Sequence, residues 1–272
     1  NAAVLRVDPD PKINWLLGAT SLVNAPLPHI RTIAPKFESS RVKATEPPQA
    51  KEIPWGVKRV NAPAAWRITR GQGVKIAVID TGIDNDHPNL KANVAGGWNA
   101  ITKNGDFKDD NGHGSHCSGT IAATDGDIGV VGVAPNASLY GVKVLDAYGD
   151  GTYDDVIAGM QWAVQNHMQI ASMSLGASKG NDSLKAAVEA MVKGGVILIA
   201  AAGNSGSAIG YPAAYPGALA IAAMDSSNKV ADFSSRGPEV ALIAPGVDVK
   251  STYMDGGYDT LSGTSTNLPY YI

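Results

Sequence analysis

The chain has 272 residues, of which 44% are apolar and 17% are charged, as is typical of one large globular domain or two smaller ones. Its formal net charge of −3 favours neither nucleic acid nor an anionic membrane as a partner. No apolar run reaches the roughly 18 residues that a membrane helix needs. Cys117 is the single cysteine, which excludes an internal disulfide.

Residues 1–50 differ in composition from the rest of the chain. Seven of the 16 prolines lie there, and this density disfavours long helices. The pattern predicts a short strand at 2–7 and a linker at 41–52. We therefore interpret residues 1–50 as a leader that precedes the domain at 51–272.

The domain is organised around the stretch from Val74 to Asp84. Five of the six residues at 74–79 are apolar, which favours a strand buried on both faces of a parallel sheet. The run ends in Asp80, at the carboxyl end of the strand, where open α/β sheets bind ligands. For a lone aspartate, capping of the next turn is the plainer interpretation.

Strands and helices alternate along the remaining chain. Apolar runs predict further strands at 137–145, 170–175, 196–202, 218–224 and 240–244. Helices are predicted at 62–66, 112–124 and 152–167, and between the caps at 181–183 and the glycines at 194–195. This alternation predicts a doubly wound α/β fold, with a mostly parallel sheet and helices on both faces.

Four polar residues lie at the ends of separate elements: Asp80, His113, Asn204 and Ser265. A hydroxyl becomes a useful nucleophile when a base removes its proton, and histidine titrates near neutral pH. A carboxylate can fix the tautomer of that histidine, and an amide can stabilise an oxyanion. The set therefore suits acyl transfer.

The residues fit two other kinds of site, a zinc site and an esterase site, less well. A zinc site at His113 and His116 has i, i+3 spacing but neither a third nearby ligand nor an HExxH motif. An α/β-hydrolase esterase requires G-x-S-x-G, and the stretch from Gly203 to Ser207 lacks the final glycine.

Ordered motifs connect the chain with a known family. They are VIDTGID followed by HP, NGHGSHCSGTIAA, GVVGVAP, SMSLG, AAAGNSG, GYPAAYP, DFSSRGPE, IAPG and LSGTS. Over residues 53–265 the chain resembles the subtilisin-like serine proteases, the subtilase family. The resemblance implies a serine endopeptidase with Asp80 as the triad acid, His113 as the base and Ser265 as the nucleophile. It makes Asn204 an oxyanion donor, together with the backbone N–H of Ser265.

The resemblance also implies a cleft that binds extended protein and peptide substrates. Two segments would pair with the substrate backbone, and small residues would form the primary pocket, with a preference for large apolar residues before the cut. Tyr153 would form a wall of the pocket four residues before the cut. The residues implied are Ser174, Leu175, Gly176, Gly149, Asp150, Gly151, Tyr153, Gly203 and Gly210.

A structural calcium ion is a further implication, at the loop 124–130. The family's side-chain ligand positions fall on Lys51, Asn89 and Gly126, where the family usually has Gln, Asp and Asn, respectively. The metal-binding residues that the resemblance implies are Asn89, Thr124, Gly126, Ile128 and Val130. Cys117, one turn after His113, is expected beneath the histidine, where some subtilases carry a cysteine.

The two ends of the chain give further expectations. Residues 1–50 are interpreted as the remnant of a pro-segment cut between about 42 and 52. After Ser265, where the family has a long central helix, seven residues follow and only Pro269 keeps the pattern. The C-terminal part is therefore expected to be missing or altered, and an inactive fragment or a non-catalytic peptide-binding relative is the alternative function. The protein is expected to be a secreted monomer, with an intracellular location as the alternative.

Overall fold

The computed structural model describes residues 10–16 and 50–271. The strands are β1 (Ile13–Asn14), β2 (Lys75–Asp80), β3 (Val94–Asn99), β4 (Ser138–Lys143), β5 (Asp150–Gly151), β6 (Ile170–Met173), β7 (Ile197–Ala201), β8 (Ala218–Met224), β9 (Val240–Pro245), β10 (Val249–Thr252) and β11 (Tyr258–Leu261). The helices are α1 (Trp55–Arg59), α2 (Ala62–Ala65), α3 (His113–Ala122), α4 (Tyr153–Gln165), α5 (Asp182–Lys193) and α6 (Thr264–Asn267), followed by a 3₁₀ turn at Leu268–Tyr271.

A parallel sheet of seven strands forms the centre, in the order β3-β4-β2-β6-β7-β8-β9. Strand β2 lies between β4 and β6, and its residues alternate between two cores. Ala77 and Ile79 pack with α4 and α5, whereas Ile76 and Val78 pack with α3. Burial on both faces explains the near-continuous apolar run, and the predicted doubly wound α/β fold is confirmed.

Each strand and helix predicted among the described residues is present, with bounds that differ by up to two residues. Strand β3 and the antiparallel hairpin β10–β11 were missed. Two glycines lie in the middle of β3, and they remove the apolar signal on which the strand prediction relied. The strand predicted at 2–7 lies outside the described residues.

Residues 264–271 form helical turns beneath the sheet. Leu268 is fully buried, and Tyr270 packs beside Val57 in a core that includes residues of β7, β8 and β9. Apolar side chains of residues 268 and 270 therefore pack into the core close after Ser265. Within the described ranges, no helix is both long and apolar enough to cross a membrane.

Candidate active site

Asp80 and His113 come from two different elements and meet in the interior. Asp80 ends β2 and His113 begins α3, and the two side chains are 0% and 5% exposed. His113 Nδ1 lies 2.8 Å from Asp80 Oδ1, which also accepts the backbone N–H of Thr81 at 2.7 Å. Because Nδ1 faces a carboxylate, it carries the proton, and Nε2 remains the basic nitrogen. In the described part of the chain, Nε2 has no hydrogen-bond partner.

The charge state of His113 depends on two opposing effects. Burial lowers its pKa, but the charge and hydrogen bond of Asp80 outweigh burial, and the pKa lies well above the ordinary value of 6.5. The neutral imidazole is the form that can accept a proton. This pair is therefore suited to act as a base above the raised pKa of His113.

Asp109 joins the loop after Asp80 to the first turn of α3. Its carboxylate accepts the Thr81 hydroxyl at 2.9 Å and the backbone N–H groups of Asn111, Gly112 and Ser115 at 2.8–3.0 Å. It also accepts the Ser115 hydroxyl at 2.6 Å. The N-cap of α3, Gly112, has no side chain to cap the helix, so Asp109 supplies the acceptor that the helix start requires.

Lys143 holds the same loop from the other side. It lies opposite Asp80 in the register of β2 and β4, and its ammonium donates to the carbonyls of Thr81 at 2.6 Å and Leu145 at 3.0 Å. It also pairs with Asp110 at 2.6 Å. Sequence reasoning missed both Asp109 and Lys143. The available signal was a charged residue within the predicted strand 137–145, since buried lysines are rare without partners.

Ser265 lies in the first turn of α6, 5% exposed. The Ser174 hydroxyl donates to its carbonyl at 2.9 Å. Cys117 Sγ lies 3.5 Å from that same carbonyl and 4.0 Å from His113 Nδ1. Cys117 thus contacts both Ser265 and His113, and burial raises the pKa of its thiol, which favours the neutral form.

Asn204 follows β7 and faces the start of α6. Its Oδ1 accepts the backbone N–H of Thr264 at 2.7 Å and the Thr264 hydroxyl at 2.9 Å. A backbone N–H can only donate, so these bonds orient the amide and leave its NH₂ group as the remaining donor. An amide donor is thereby fixed one residue away from Ser265.

The other histidines in the predicted motifs have structural partners. His116 contacts the Val249 carbonyl through Nε2 at 2.9 Å, and burial lowers its pKa to about 3. His87 accepts the N–H of Asn89 through Nδ1 and contacts the Gly257 carbonyl through Nε2. His113 and His116 therefore use separate partners, which does not support a zinc site between them.

Five of the nine predicted substrate residues line one cavity of about 480 Å³, which Ser265 and Asn204 also line. Its lining includes Ser174, Leu175, Gly176, Gly203 and Gly210. Ala201 and Ile209 add apolar wall. The structure thus brings Ser265 and Asn204 together with these five residues in one cavity.

Residues 13–16 also line this cavity. Strand β1 pairs antiparallel with β5, with Ile13 opposite Gly151 and Asn14 opposite Asp150. The Trp15 backbone N–H donates to the Gly149 carbonyl, and the Trp15 carbonyl accepts the Gly176 N–H, both at 3.0 Å. A segment of the leader therefore bonds to both segments that were predicted to bind substrate.

Trp15 anchors this segment. Its side chain is 2% exposed, and its ring meets that of Tyr153 edge-on with centroids 5.0 Å apart. Its indole N–H donates to the Gly151 carbonyl at 3.0 Å. Lys12 forms a 2.5 Å ion pair with Asp146, and Asn14 donates to Asp150 at 2.9 Å. The ring of Tyr153 thus packs against a leader side chain, and its role as a wall of a substrate pocket stays a prediction.

The residues expected to bind calcium also meet in one place. Around the loop 124–130, the amide nitrogen of Asn89 points at the Thr124 and Ile128 carbonyls, and its Oδ1 accepts the Val130 N–H. Gly126 is exposed and offers no side-chain oxygen. Calcium binds oxygen ligands, whereas here N–H groups face the carbonyls. The residues present therefore do not fit the expected calcium site.

The sequence of the chain is similar to those of several known bacterial proteases. Subtilisin E of Bacillus subtilis (strain 168) is 45% identical over 228 residues, which cover 81% of this chain and 59% of that protein. Alkaline protease of Alkalihalobacillus alcalophilus is 47% identical over 223 residues, 81% of this chain and 58% of that protein. Subtilisin Savinase of Lederbergia lenta is 46% identical over 223 residues, 81% and 82% respectively.

The chain thus spans less than two thirds of the length of several curated relatives that it matches. The family described as the subtilase family matches residues 71–269, a range that contains Asp80, His113, Asn204 and Ser265. With a match over more than half of the chain and relatives near 45% identity, the chain belongs to the subtilase family.

Proposed function

We propose that the protein is a serine endopeptidase that hydrolyses peptide bonds through Asp80, His113 and Ser265. The observation that carries the proposal is the buried hydrogen bond between Asp80 and His113, which leaves Nε2 of the histidine free. Cys117 contacts both this histidine and Ser265, so the base and the serine share a neighbour. Membership of the subtilase family supports the same reaction.

The proposed reaction proceeds in two halves. His113 Nε2 takes the proton of the Ser265 hydroxyl as Oγ attacks the substrate carbonyl, and Asp80 stabilises the resulting imidazolium. The Asn204 amide and the Ser265 N–H hold the oxyanion. His113 then protonates the leaving amine, and an acyl-enzyme remains. Water, activated by the same histidine, releases the acid and restores the serine.

The preferred substrates are peptides with a large apolar residue before the cut. Support comes from the small and apolar lining of the cavity, with Ala201, Gly203, Ile209 and Gly210. Glycine at 203 and 210 leaves room where a side chain would narrow the pocket. A peptide-library profile with a strict acidic or basic preference at the position before the cut would contradict this specificity.

The leader acts as the protein's own inhibitor in this proposal. Residues 13–15 take the backbone hydrogen bonds that an extended substrate would use, and Trp15 fills the pocket beside Tyr153. These contacts support the interpretation of residues 1–50 as a pro-segment. The predicted cut falls within 42–52, of which 42–49 lie outside the described residues, and it stays a prediction, as do secretion and the monomeric state.

Labelling with a fluorophosphonate probe tests the triad. The folded chain should label at Ser265, and Ser265→Ala should abolish the label. Ser205→Ala is the matched control, because Ser205 lines the same cavity but bonds only to the hydroxyls of Ser207 and Ser235 among described side chains.

The mass of the labelled peptide separates the alternatives. Label at Ser205 would support the esterase interpretation of the stretch from Gly203 to Ser207. A folded chain that takes no label, even after the leader has been removed, would instead support a non-catalytic peptide-binding relative or an inactive fragment.

A further inference from the structure

The loop 124–130 is tied to the rest of the domain by the chain's own donors. The Thr124 N–H donates to the Asn89 carbonyl at 2.9 Å, and the Glu52 N–H donates to the Gly129 carbonyl at 2.7 Å. Isolated bridges join Ala50 to Ile128 and Glu52 to Val130. The loop is therefore held on both sides by backbone bonds before any ion is considered.

Asn89 occupies the centre of this loop and is 1% exposed. Its Nδ2 lies 3.2 Å from the Ile128 carbonyl, 3.4 Å from the Thr124 hydroxyl and 3.5 Å from the Thr124 carbonyl. The amide hydrogens thus point at two carbonyls of the loop. These bonds are long. The Thr124 carbonyl also accepts the Gly126 N–H at 2.9 Å, so the amide adds a second donor there and supplies one to the Ile128 carbonyl.

The hydrogen bonds that Asn89 Oδ1 accepts fix the orientation of the Asn89 amide. Oδ1 accepts the Val130 N–H at 3.3 Å and the Tyr258 hydroxyl at 2.5 Å. A backbone N–H can only donate, so turning the amide over would set two donors against each other at Val130 and two acceptors against each other at Ile128. The amide hydrogens therefore remain directed at the carbonyls of the loop.

The loop's acidic side chain is also committed to protein cations. Asp125 forms ion pairs with Lys51 and, at 2.7 Å, with Arg70. The Lys51 ammonium beside Asp125 holds the pKa of that carboxyl below its ordinary value, with Arg70 adding to the effect. The Asp125 carboxylate is thus occupied by two protein cations in place of a metal ion. Across residues 10–16 and 50–271, the one cluster of three potential His, Cys, Asp or Glu ligands is at Asp80, His113 and Cys117, away from this loop.

We propose that the Asn89 amide and the Lys51–Asp125 ion pair close the loop 124–130 in place of a calcium ion, so that the stability of this domain does not depend on calcium at this site. The amide satisfies the carbonyls, and the lysine supplies the positive charge. This inference concerns stability alone and does not rest on the proposed activity.

Thermal unfolding of the full chain tests the proposal, with Ser265→Ala as background to prevent self-cleavage. The unfolding midpoint should be the same in EDTA and in excess calcium chloride. A calcium-dependent rise in this parent that Asn89→Ala removes would overturn the proposal, because it would locate a bound ion at the loop. A rise that persists in Asn89→Ala would leave the loop calcium-independent and place the ion elsewhere.

A gain-of-site variant tests the cause. Lys51→Gln, Asn89→Asp and Gly126→Asn together restore the side chains that the family pattern carries. This triple variant should unfold at a lower temperature than the parent in EDTA, and calcium should raise its midpoint by about 5 °C or more. Terbium luminescence gives a second readout, because terbium takes the same oxygen ligands. A folded triple variant that responds to neither ion would contradict the role given to Lys51 and Asn89.

Asn93→Asp is the matched control. Its amide also donates to two carbonyls, those of Ala122 and Pro135, both at 2.8 Å, but it lies outside the loop. It should lower the midpoint equally in EDTA and in calcium. A calcium response in this control equal to that of the triple variant would show that any buried aspartate creates the effect, and the proposal would fail.

Discussion

At the scale of single residues, burial and the Asp80 carboxylate have opposite effects on the pKa of His113. Burial disfavours a charged imidazole, while a buried carboxylate 2.8 Å away favours it. The carboxylate prevails, so the pKa of His113 lies well above 6.5. The neighbouring His116, equally buried but bonded to a carbonyl, has its pKa lowered to about 3. The same side chain three positions apart therefore has two different charge states, which depend on the partner that each ring meets.

Asp80→Asn tests whether the Asp80 carboxylate raises the pKa of His113. The base must be neutral, so activity of the free enzyme should fall as pH drops through the raised pKa of His113, above 6.5. Without the carboxylate, the lowering of the pKa by burial loses its main opponent, and the acid limb of kcat/KM against pH should move to lower pH. The rate should drop on the order of 10⁴-fold, because the ring loses its correct tautomer.

Asp86→Asn is the control for this experiment. Its carboxylate lies on the same loop but is 84% exposed, so the pH profile should keep its position. An acid limb that stays in place when Asp80 is replaced would mean that Asp80 does not raise the pKa of His113.

Helix α3 shows what an element contributes to the site. It delivers His113 at its first residue, a position without intrahelical partners for the backbone N–H groups. Asp109 satisfies three N–H groups there and the Thr81 hydroxyl as well, so one carboxylate holds the base's helix against the acid's loop. Gly114 adds a bond from its N–H to Thr81 at 2.9 Å. The helix start is thus positioned by contacts from outside the helix.

Asp109→Ala tests this at the scale of the element. Removal leaves several buried donors unpaired, and we expect a loss of about 2–4 kcal/mol in the free energy of unfolding. The active chain should lose kcat more than KM, because the variant moves the base and leaves the cavity walls in place. Urea unfolding in the Ser265→Ala background and steady-state kinetics measure the two effects.

Asp106→Ala is the matched control, since Asp106 is exposed and lies on the same polar loop. It should change neither stability nor kcat appreciably. If Asp109→Ala lowered stability and left kcat unchanged, Asp109 would be a structural cap only.

The whole molecule places a leader segment and the catalytic domain in one cleft. Strand β1 and Trp15 add a backbone strand and a buried aromatic anchor to the cavity that contains Ser265. Such anchors commonly dominate binding energy, and they are enriched in Trp and Tyr. The leader would therefore restrict access to the site while it stays attached.

Trp15→Ala tests the leader at this scale. Loss of a buried anchor of this kind costs about 2 kcal/mol or more, so freshly purified, intact chain should label with fluorophosphonate roughly 30-fold faster than the parent. Intact mass before the assay confirms that the leader is present. Ile68→Ala, at a side chain that is 90% exposed, is the control and should label at the parent rate. Equal rates for Trp15→Ala and the parent would show that residues 10–16 do not restrict access.

The sequence by itself determined the doubly wound fold and the order of most strands and helices, and it made Asp80, His113, Asn204 and Ser265 the candidate site residues. It could do so because a strand buried on both faces needs a continuous apolar run, and such a run makes the polar residue at its end conspicuous. The loop of Asn89 and the clamp of Asp109 and Lys143 depended on the tertiary structure, because each of these residues has a partner at least 28 positions away in the chain. The place of Trp15 in the cleft depended on it too, since its contacts join residues more than 130 positions apart. Local patterns report burial and periodicity, whereas the direction in which an amide or a carboxylate points is decided only when distant segments pack together.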